Sequence, residues 1–147
     1  MKITILENPG DEEDEIIVKC KSLDDSIIAL MKQLKNGSSK INLYKDGQIR
    51  IVERREILYF EYVEGKVFAY TENEVFDART RLYELEELLP ASSFFRANKA
   101  VILNIDQVDS LAPAFGGRFE AVLRNGYRAI ISRNYVPALK EILGLEQ

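Results

Sequence analysis

The spacing of apolar residues in this chain changes at Lys40, and that change limits the folds open to it. From there, Ile41 and Leu43 alternate with polar residues, a period of two that is typical of a strand with one buried face. Asp46-Gly47 predicts a tight turn, and the alternation continues on the far side of it. The body of the chain is therefore predicted to be antiparallel β structure.

Further hairpins and two short helices are predicted in the rest of the body. A turn at Glu64-Gly65 separates two strands, a short strand follows at 74–78, and a leucine-rich helix ends before Pro90. The clearest hairpin is RFEAVLRNGYRAIIS, whose Asn125-Gly126 turn predicts positive φ at both central residues. A last helix is predicted to be capped by Asn134. The fold class is thus mostly β with short helices.

Residues 1–39 have a different pattern. Residues 2–6 and 15–20 are predicted to be short strands. Leu23, Ile27, Met31 and Leu34 then recur at helical spacing, with Ser22 and Asp25 placed to cap the helix. We therefore expect a strand-strand-helix segment over 1–39, followed by a domain over 40–147. The helix could pack on its own body or form a contact between two copies.

Composition excludes several kinds of active site. The chain has no histidine, and its single cysteine rules out an intrachain disulfide or a cysteine cage for a metal. Hydrolases with a histidine base and histidine-ligated zinc sites are thereby excluded. Neither GxxxxGK[ST] nor GxGxxG occurs, so a nucleotide-binding loop is not expected. We expect neither an enzyme nor a bound cofactor or metal.

Charge is unevenly distributed along the chain. The net charge is −4, which by itself disfavours nucleic acid as a partner. Residues 91–147, however, hold seven basic and five acidic side chains. The opening residues show no secretory pattern and no apolar run is long enough to cross a bilayer, which predicts a cytoplasmic protein without a membrane segment.

Four stretches of the body carry a recognisable pattern, and they are RLYELEELLP, FFRANKAVILNIDQVDSL, GRFEAVLRNG and ISRNYVPALKEILG. In their order and spacing, over roughly residues 40–144, they resemble the LytTR DNA-binding domain of bacterial transcription regulators. The resemblance implies an elongated, mostly antiparallel β fold that inserts loops into successive major grooves of double-stranded DNA. Residues 1–39 lack the length and the alternating βα pattern of the receiver domain that many family members carry, so we expect a standalone regulator. It could bind repeated DNA sites as a homodimer.

The resemblance assigns DNA contacts to three loops. Lys66 is the nearest match to the base-reading residue after the first turn. In the second loop, Arg96 takes the anchor position and Lys99 the groove-facing position, while Asn98 stands where the family often has histidine and Ala100 where it often has serine. In the third loop, Arg133 takes the second base-reading position. The DNA-binding residues implied are Lys66, Arg96, Asn98, Lys99, Arg133, Asn134 and Tyr135.

Structural roles for some of these residues stay open. Lys66 could be an ordinary solvated turn lysine, and Arg96 could pair with a carboxylate while its stem covers Phe95. Asn98 and Asn134 could bond local backbone. One alternative function is a protein-interaction module that offers a β edge to a peptide without binding DNA. Another is a small enzyme that uses carboxylates such as Glu61 and Glu64.

Overall fold

The computed structural model describes residues 2–7, 10, 14–36 and 39–145, and for residues 32–36 it describes the backbone alone. The chain divides into two compact units, Met1–Gly37 and Ser38–Gln147. The side chain of Leu34, which the helical spacing includes, lies outside the described residues. The two units differ in how far their apolar side chains are buried.

The first unit contains helix α1, Asp25–Asn36, where the sequence predicts a helix. Its cap is Asp24, whose Oδ1 accepts a hydrogen bond from Ile27 N at 3.0 Å. A second bond, from Ser26 Oγ, lowers the pKa of the Asp24 carboxyl. The predicted capping pair of Ser22 and Asp25 is therefore wrong. The helix begins at Asp25, so the capping position is Asp24.

The strands predicted over 2–6 and 15–20 are wrong. No strand is assigned within residues 2–7 or 14–22, the stretches of this region that the structure describes. Ile3 and Ile5 are each 85% exposed, and Ile16 is 73% exposed. A strand needs a neighbour for its backbone hydrogen bonds, and the alternating pattern in the sequence does not supply one.

Within residues 39–145, two antiparallel sheets form the second unit. The strands are β1 Lys40–Lys45, β2 Gln48–Glu53, β3 Tyr59–Val63, β4 Lys66–Tyr70, β5 Val75–Asp77, β6 Phe94–Asn98, β7 Val101–Asn104, β8 Val108–Ala114, β9 Arg118–Leu123 and β10 Arg128–Ile131. The larger sheet has the strand order β2-β1-β5-β4-β3-β7-β6, and the smaller has the order β10-β9-β8. The predicted fold class is confirmed.

The hairpin turns agree with the sequence except at one residue. Asp46 and Gly47 have φ of 51° and 75°, as a two-residue hairpin turn requires. Gly126 has φ of 86°, but Asn125 is not among the described residues with positive φ, so that part of the prediction is wrong. Gly126 N donates to Leu123 O, and Leu123 N donates to Tyr127 O. The turn is thus a three-residue loop with a glycine bulge.

Consecutive residues of the larger sheet enter two different cores. Phe60, Phe94 and Ile102 belong to one cluster, which includes leucines of helix α2, Leu82–Leu88. Tyr59 and Phe95 belong to the other, which includes residues of β9, β10 and helix α3, Val136–Leu143. Since side chains alternate across a strand, the sheet is covered on one face by α2 and on the other by the smaller sheet and α3.

Three stacked tyrosines join the two sheets. The Tyr59 ring lies 4.3 Å from that of Tyr70 and 3.9 Å from that of Tyr127, measured between centroids. Tyr70 Oη donates to Glu61 Oε1 at 3.3 Å. Burial raises the pKa of Tyr127 to about 12 and raises that of Tyr59 further. The stack connects strands β3 and β4 with the β9–β10 hairpin.

The final helix starts later than its predicted cap. Arg133–Tyr135 form a single 3-10 turn, and α3 begins at Val136 with Tyr135 as its N-cap and no side-chain cap bond. Asn134 therefore does not cap the helix, and that prediction is wrong. Gly144 ends the helix with φ of 70°, in the left-handed region that glycine adopts readily.

Candidate nucleic-acid interface

The three loops implied by the resemblance lie at one end of the larger sheet. Glu61 of β3 pairs with Val101 of β7, and Tyr62 N donates to Ala100 O at 2.7 Å, which places the β3–β4 turn beside the β6–β7 turn. Ser132 N donates to Ala97 O at 2.8 Å, which adds the segment after β10. We call this set of residues, 64–66, 98–100 and 132–135, the cationic edge.

The β6–β7 turn is held by the guanidinium of Arg96. Its Nε donates to Asn98 O at 2.8 Å and its Nη2 donates to Lys99 O at 2.6 Å. Its Nη1 forms an ion pair at 2.5 Å with Glu86 of α2. All three nitrogens of the fork are thus used inside the protein, and these contacts favour the structural role that the sequence left open for Arg96.

Asn98 fixes the same turn from the other side. Its Nδ2 donates to Ile130 O at 2.8 Å, and its Oδ1 accepts from Ala100 N at 2.9 Å. The side chain therefore bonds local backbone, and it also ties β6 to β10. Lys99, at the tip, is exposed, and no ion pair is found for it among the described residues.

The β3–β4 turn has less support. Glu64 and Gly65 have φ of 47° and 85°, and Val63 pairs with Lys66 across the hairpin. Lys66 is exposed, and Tyr62 beside it is 51% exposed. Within residues 39–145 the side chains of 64–66 make no hydrogen bond or ion pair, so only the hairpin ladder holds this lysine in place.

Arg133 lies against a glycine from another turn. A Cβ on Gly117, in the β8–β9 turn, would come within 3.1 Å of Arg133 Cδ and 3.2 Å of its Cγ. Gly117 also has φ of 77°, which disfavours other residues. The stem of Arg133 therefore packs closely on a backbone position that favours glycine, while the residue as a whole stays exposed.

The neighbours of Arg133 differ in exposure. Asn134 is exposed, whereas Tyr135 is half-buried and packs against the core beneath the smaller sheet. Tyr135 N donates to Ser132 O at 2.8 Å, which closes the 3-10 turn. Asn134 can therefore reach a ligand, while Tyr135 mainly supports the segment.

Sequence reasoning missed two arginines close to this edge. Arg79 and Arg81 follow β5, and both are exposed beside Lys66. In the sequence they appear as DARTR, two basic residues after a predicted strand, which does not show where they lie in the fold. The pairing of Phe68 with Asp77 brings them to this side of the sheet.

In the described part of the chain, no cluster of three or more His, Cys, Asp or Glu side chains is arranged to hold a metal ion. No described helix has the length and apolar character needed to span a membrane. None of α1, α2 and α3 directly follows another, so the described chain contains no helix-turn-helix.

Known proteins resemble this chain in sequence and structure. The "Sensory transduction protein LytT" of Bacillus anthracis is 28% identical over 142 residues, which are 92% of this chain but 58% of LytT. A protein of Staphylococcus aureus strain N315, named as an uncharacterized HTH-type transcriptional regulator, is 28% identical over 148 residues, with 99% of each chain covered.

A solved structure also resembles this chain. It is the "LytTr DNA-binding domain of putative methyl-accepting/DNA response regulator from Bacillus cereus". It has a TM-score of 0.69 and 26% identity, and covers 74% of this chain and 100% of the solved one. The model of the LytTr DNA-binding domain family matches residues 47–144, and this chain therefore belongs to the LytTr DNA-binding domain family.

Proposed function

We propose that this chain regulates transcription by binding specific double-stranded DNA, with the turns of the cationic edge entering successive major grooves. The supporting observation is that Lys66, Lys99 and Arg133 are exposed at one end of the sheet, and no carboxylate pairs with any of them within residues 39–145. Unpaired cations on adjoining turns can neutralise phosphates and donate to base edges. Such a protein acts in the cytoplasm, where bacterial DNA lies.

Arg133 is the proposed base-reading residue. Its planar fork matches the O6 and N7 acceptors of guanine, and its stem is held by the backbone of Gly117. A side chain that is already positioned loses less entropy on binding. We therefore assign a share of the sequence preference to Arg133, and general attraction to the summed charge of the edge.

The test is a fluorescence titration with duplex DNA from upstream of the protein's own gene and with scrambled duplexes of equal length. We expect affinity to fall by orders of magnitude from low to moderate salt, as for a protein that makes roughly six phosphate contacts. Stoichiometry in the same titration tests for two copies on repeated sites. Affinity that does not change with salt would contradict the proposal.

Arg133→Lys tests the assigned role of the fork. Lysine keeps the charge but cannot make the bidentate contact, so discrimination at one base pair should fall by about 1–3 kcal/mol while salt-dependent binding to scrambled DNA persists. The measurement is a titration against duplexes substituted one base pair at a time. Equal weakening on every duplex would instead make Arg133 a phosphate contact.

One observation favours the β-edge alternative. Strand β2 is an edge of the larger sheet, and its Ile49 and Ile51 are 64% and 68% exposed. An exposed edge with apolar side chains can pair with a peptide strand. Ile49→Lys together with Ile51→Lys should leave DNA binding unchanged if the cationic edge is the binding site, and should abolish peptide capture if β2 is.

A further inference from the structure

The segment after strand β5 forms a cationic surface next to the Lys66 turn. Ala78 N donates to Val67 O at 2.9 Å, so the chain leaves β5 where β4 begins. Lys66, Arg79 and Arg81 border one shallow depression of about 370 Å³, together with the acidic residues Asp77 and Glu84. Three cations from two segments thus share one surface.

The two acidic residues at this surface are occupied by local contacts. Asp77 Oδ1 accepts from Arg79 N at 2.9 Å, and Glu84 Oε2 accepts from Thr80 Oγ1 at 3.0 Å. Within residues 39–145, neither of them forms an ion pair with Arg79 or Arg81. The two guanidinium groups therefore keep donors for an external anion.

Arg79 is held in an unfavourable backbone conformation. Its φ is 50°, in the left-handed region that residues other than glycine seldom occupy. The bond from its N–H to Asp77 supports that conformation, and its guanidinium lies 4.2 Å from the ring centroid of Tyr44. A guanidinium stacked on a ring still has its N–H groups at the edge of the plane, so it stays able to donate.

We propose that Arg79 and Arg81 bind the phosphodiester backbone of DNA, as an additional contact outside the three loops of the cationic edge. This inference rests on the proposed function. Strand β5 lies next to β4 on the side away from β7, so Arg79 flanks Lys66 on the side opposite Lys99.

The distances favour a phosphate over a base as the ligand. Neighbouring strands are roughly 4.8 Å apart, and the major groove is about 12 Å wide. A residue one strand beyond a lysine in the groove therefore lies near the groove wall, where the phosphates are. Because the Arg79 side chain is stacked on Tyr44, it stays at the protein surface and does not extend to the groove floor.

The experiment measures the dependence of DNA affinity on salt for the full chain and for Arg79→Gln/Arg81→Gln. Each lost phosphate contact lowers the slope of log K against log salt by about 1, so the double variant should lose about 2. Affinity should fall by the same factor on specific and scrambled duplexes, because phosphates carry no sequence information. Arg79→Lys, which keeps the charge, should retain the slope.

Arg124→Gln is the matched control. Arg124 is an exposed arginine in the β9–β10 turn, and that turn lies at the opposite end of β10 from Ser132. Its slope should equal that of the wild type. Arg81→Gln alone provides a second test that does not disturb the Arg79 backbone, and it should lower the slope by about 1.

Two outcomes would overturn the inference alone, and a third would overturn the proposed function as well. An unchanged slope in the double variant, with wild-type melting temperature, excludes phosphate contacts by these arginines. Loss of preference at one base pair, without loss of slope, would assign them to base edges. If the wild type itself shows no salt-dependent affinity for any duplex, the proposed function fails and this inference fails with it.

Discussion

The β6–β7 turn and the β3–β4 turn both present an exposed lysine at the cationic edge, but they are supported differently. Lys99 follows Asn98, whose side chain and carbonyl are both hydrogen-bonded, and the carbonyl of Lys99 itself accepts from Arg96. Lys66 follows a two-residue turn that, among the described residues, is held by the hairpin ladder alone. Two lysines with equal charge thus start from backbones of unequal rigidity.

This difference suggests unequal roles in DNA recognition. Placing a charge near a phosphate tolerates movement, whereas a hydrogen bond to a base edge needs a fixed position. We therefore expect Lys99 to contribute to sequence preference and Lys66 to contribute mainly charge. The contacts made by Arg96 and Asn98 are the physical source of the difference, and changing them should remove it.

Arg96→Lys should have the largest effect, because one ammonium cannot replace three directed donors. Loss of the bonds to Asn98 O, Lys99 O and Glu86 should cost about 1.5–3 kcal/mol in the free energy of unfolding. Affinity for specific DNA should fall more than affinity for scrambled DNA. Urea unfolding and paired titrations measure the two quantities, and unchanged stability would show that the turn does not depend on Arg96.

Lys99→Ala and Lys66→Ala compare the two turns directly. Lys99→Ala should weaken specific binding by about 1–3 kcal/mol, while Lys66→Ala should weaken specific and scrambled DNA equally. Both residues are exposed, so the melting temperature should change little in either variant. Equal loss of preference in the two variants would contradict the assigned roles, and a large fall in melting temperature for Lys99→Ala would show that it is a structural residue.

The smallest expected effect concerns the tyrosine stack, which supports the β3–β4 hairpin at the end opposite its turn. A folded-state pKa of about 12 for Tyr127, against about 10 when unfolded, means that the stabilisation is complete below pH 10 and is lost as pH rises through 12. Melting curves at rising alkaline pH should show this loss, and Tyr127→Phe should reduce it. An identical alkaline decline in both proteins would mean that Tyr127 does not cause it.

Local patterns predicted much of the second unit. The hairpin turn at Asp46-Gly47 and the alternating residues of β9 and β10 depend on neighbours within a few positions, and they were predicted correctly. The strands predicted over 2–6 and 15–20 had the same alternation but no partner in the described residues. A period of two indicates which residues could share a buried face, and burial itself depends on another element.

The candidate site shows the same limit. The sequence, through its resemblance to a family, placed Lys66, Lys99 and Arg133 on three loops, and their roles in binding stay predictions. It could not place Arg79, because the position of that residue depends on which strand pairs with β5. It also could not decide between DNA contact and ion pairing for Arg96, since the contact with Glu86, ten residues earlier, depends on how α2 packs beside β6.

The contact between Gly117 and Arg133 has a consequence for how such a protein can change over evolution. The stem of Arg133, the proposed base-reading residue, packs here against a residue sixteen positions earlier, which itself need not touch DNA. Substitutions at 117 and 133 should therefore show epistasis, with Gly117→Ala costly beside arginine and less so beside a shorter side chain. New binding preferences could then require two changes in a particular order, so that the history of the turn restricts the operators a descendant can acquire.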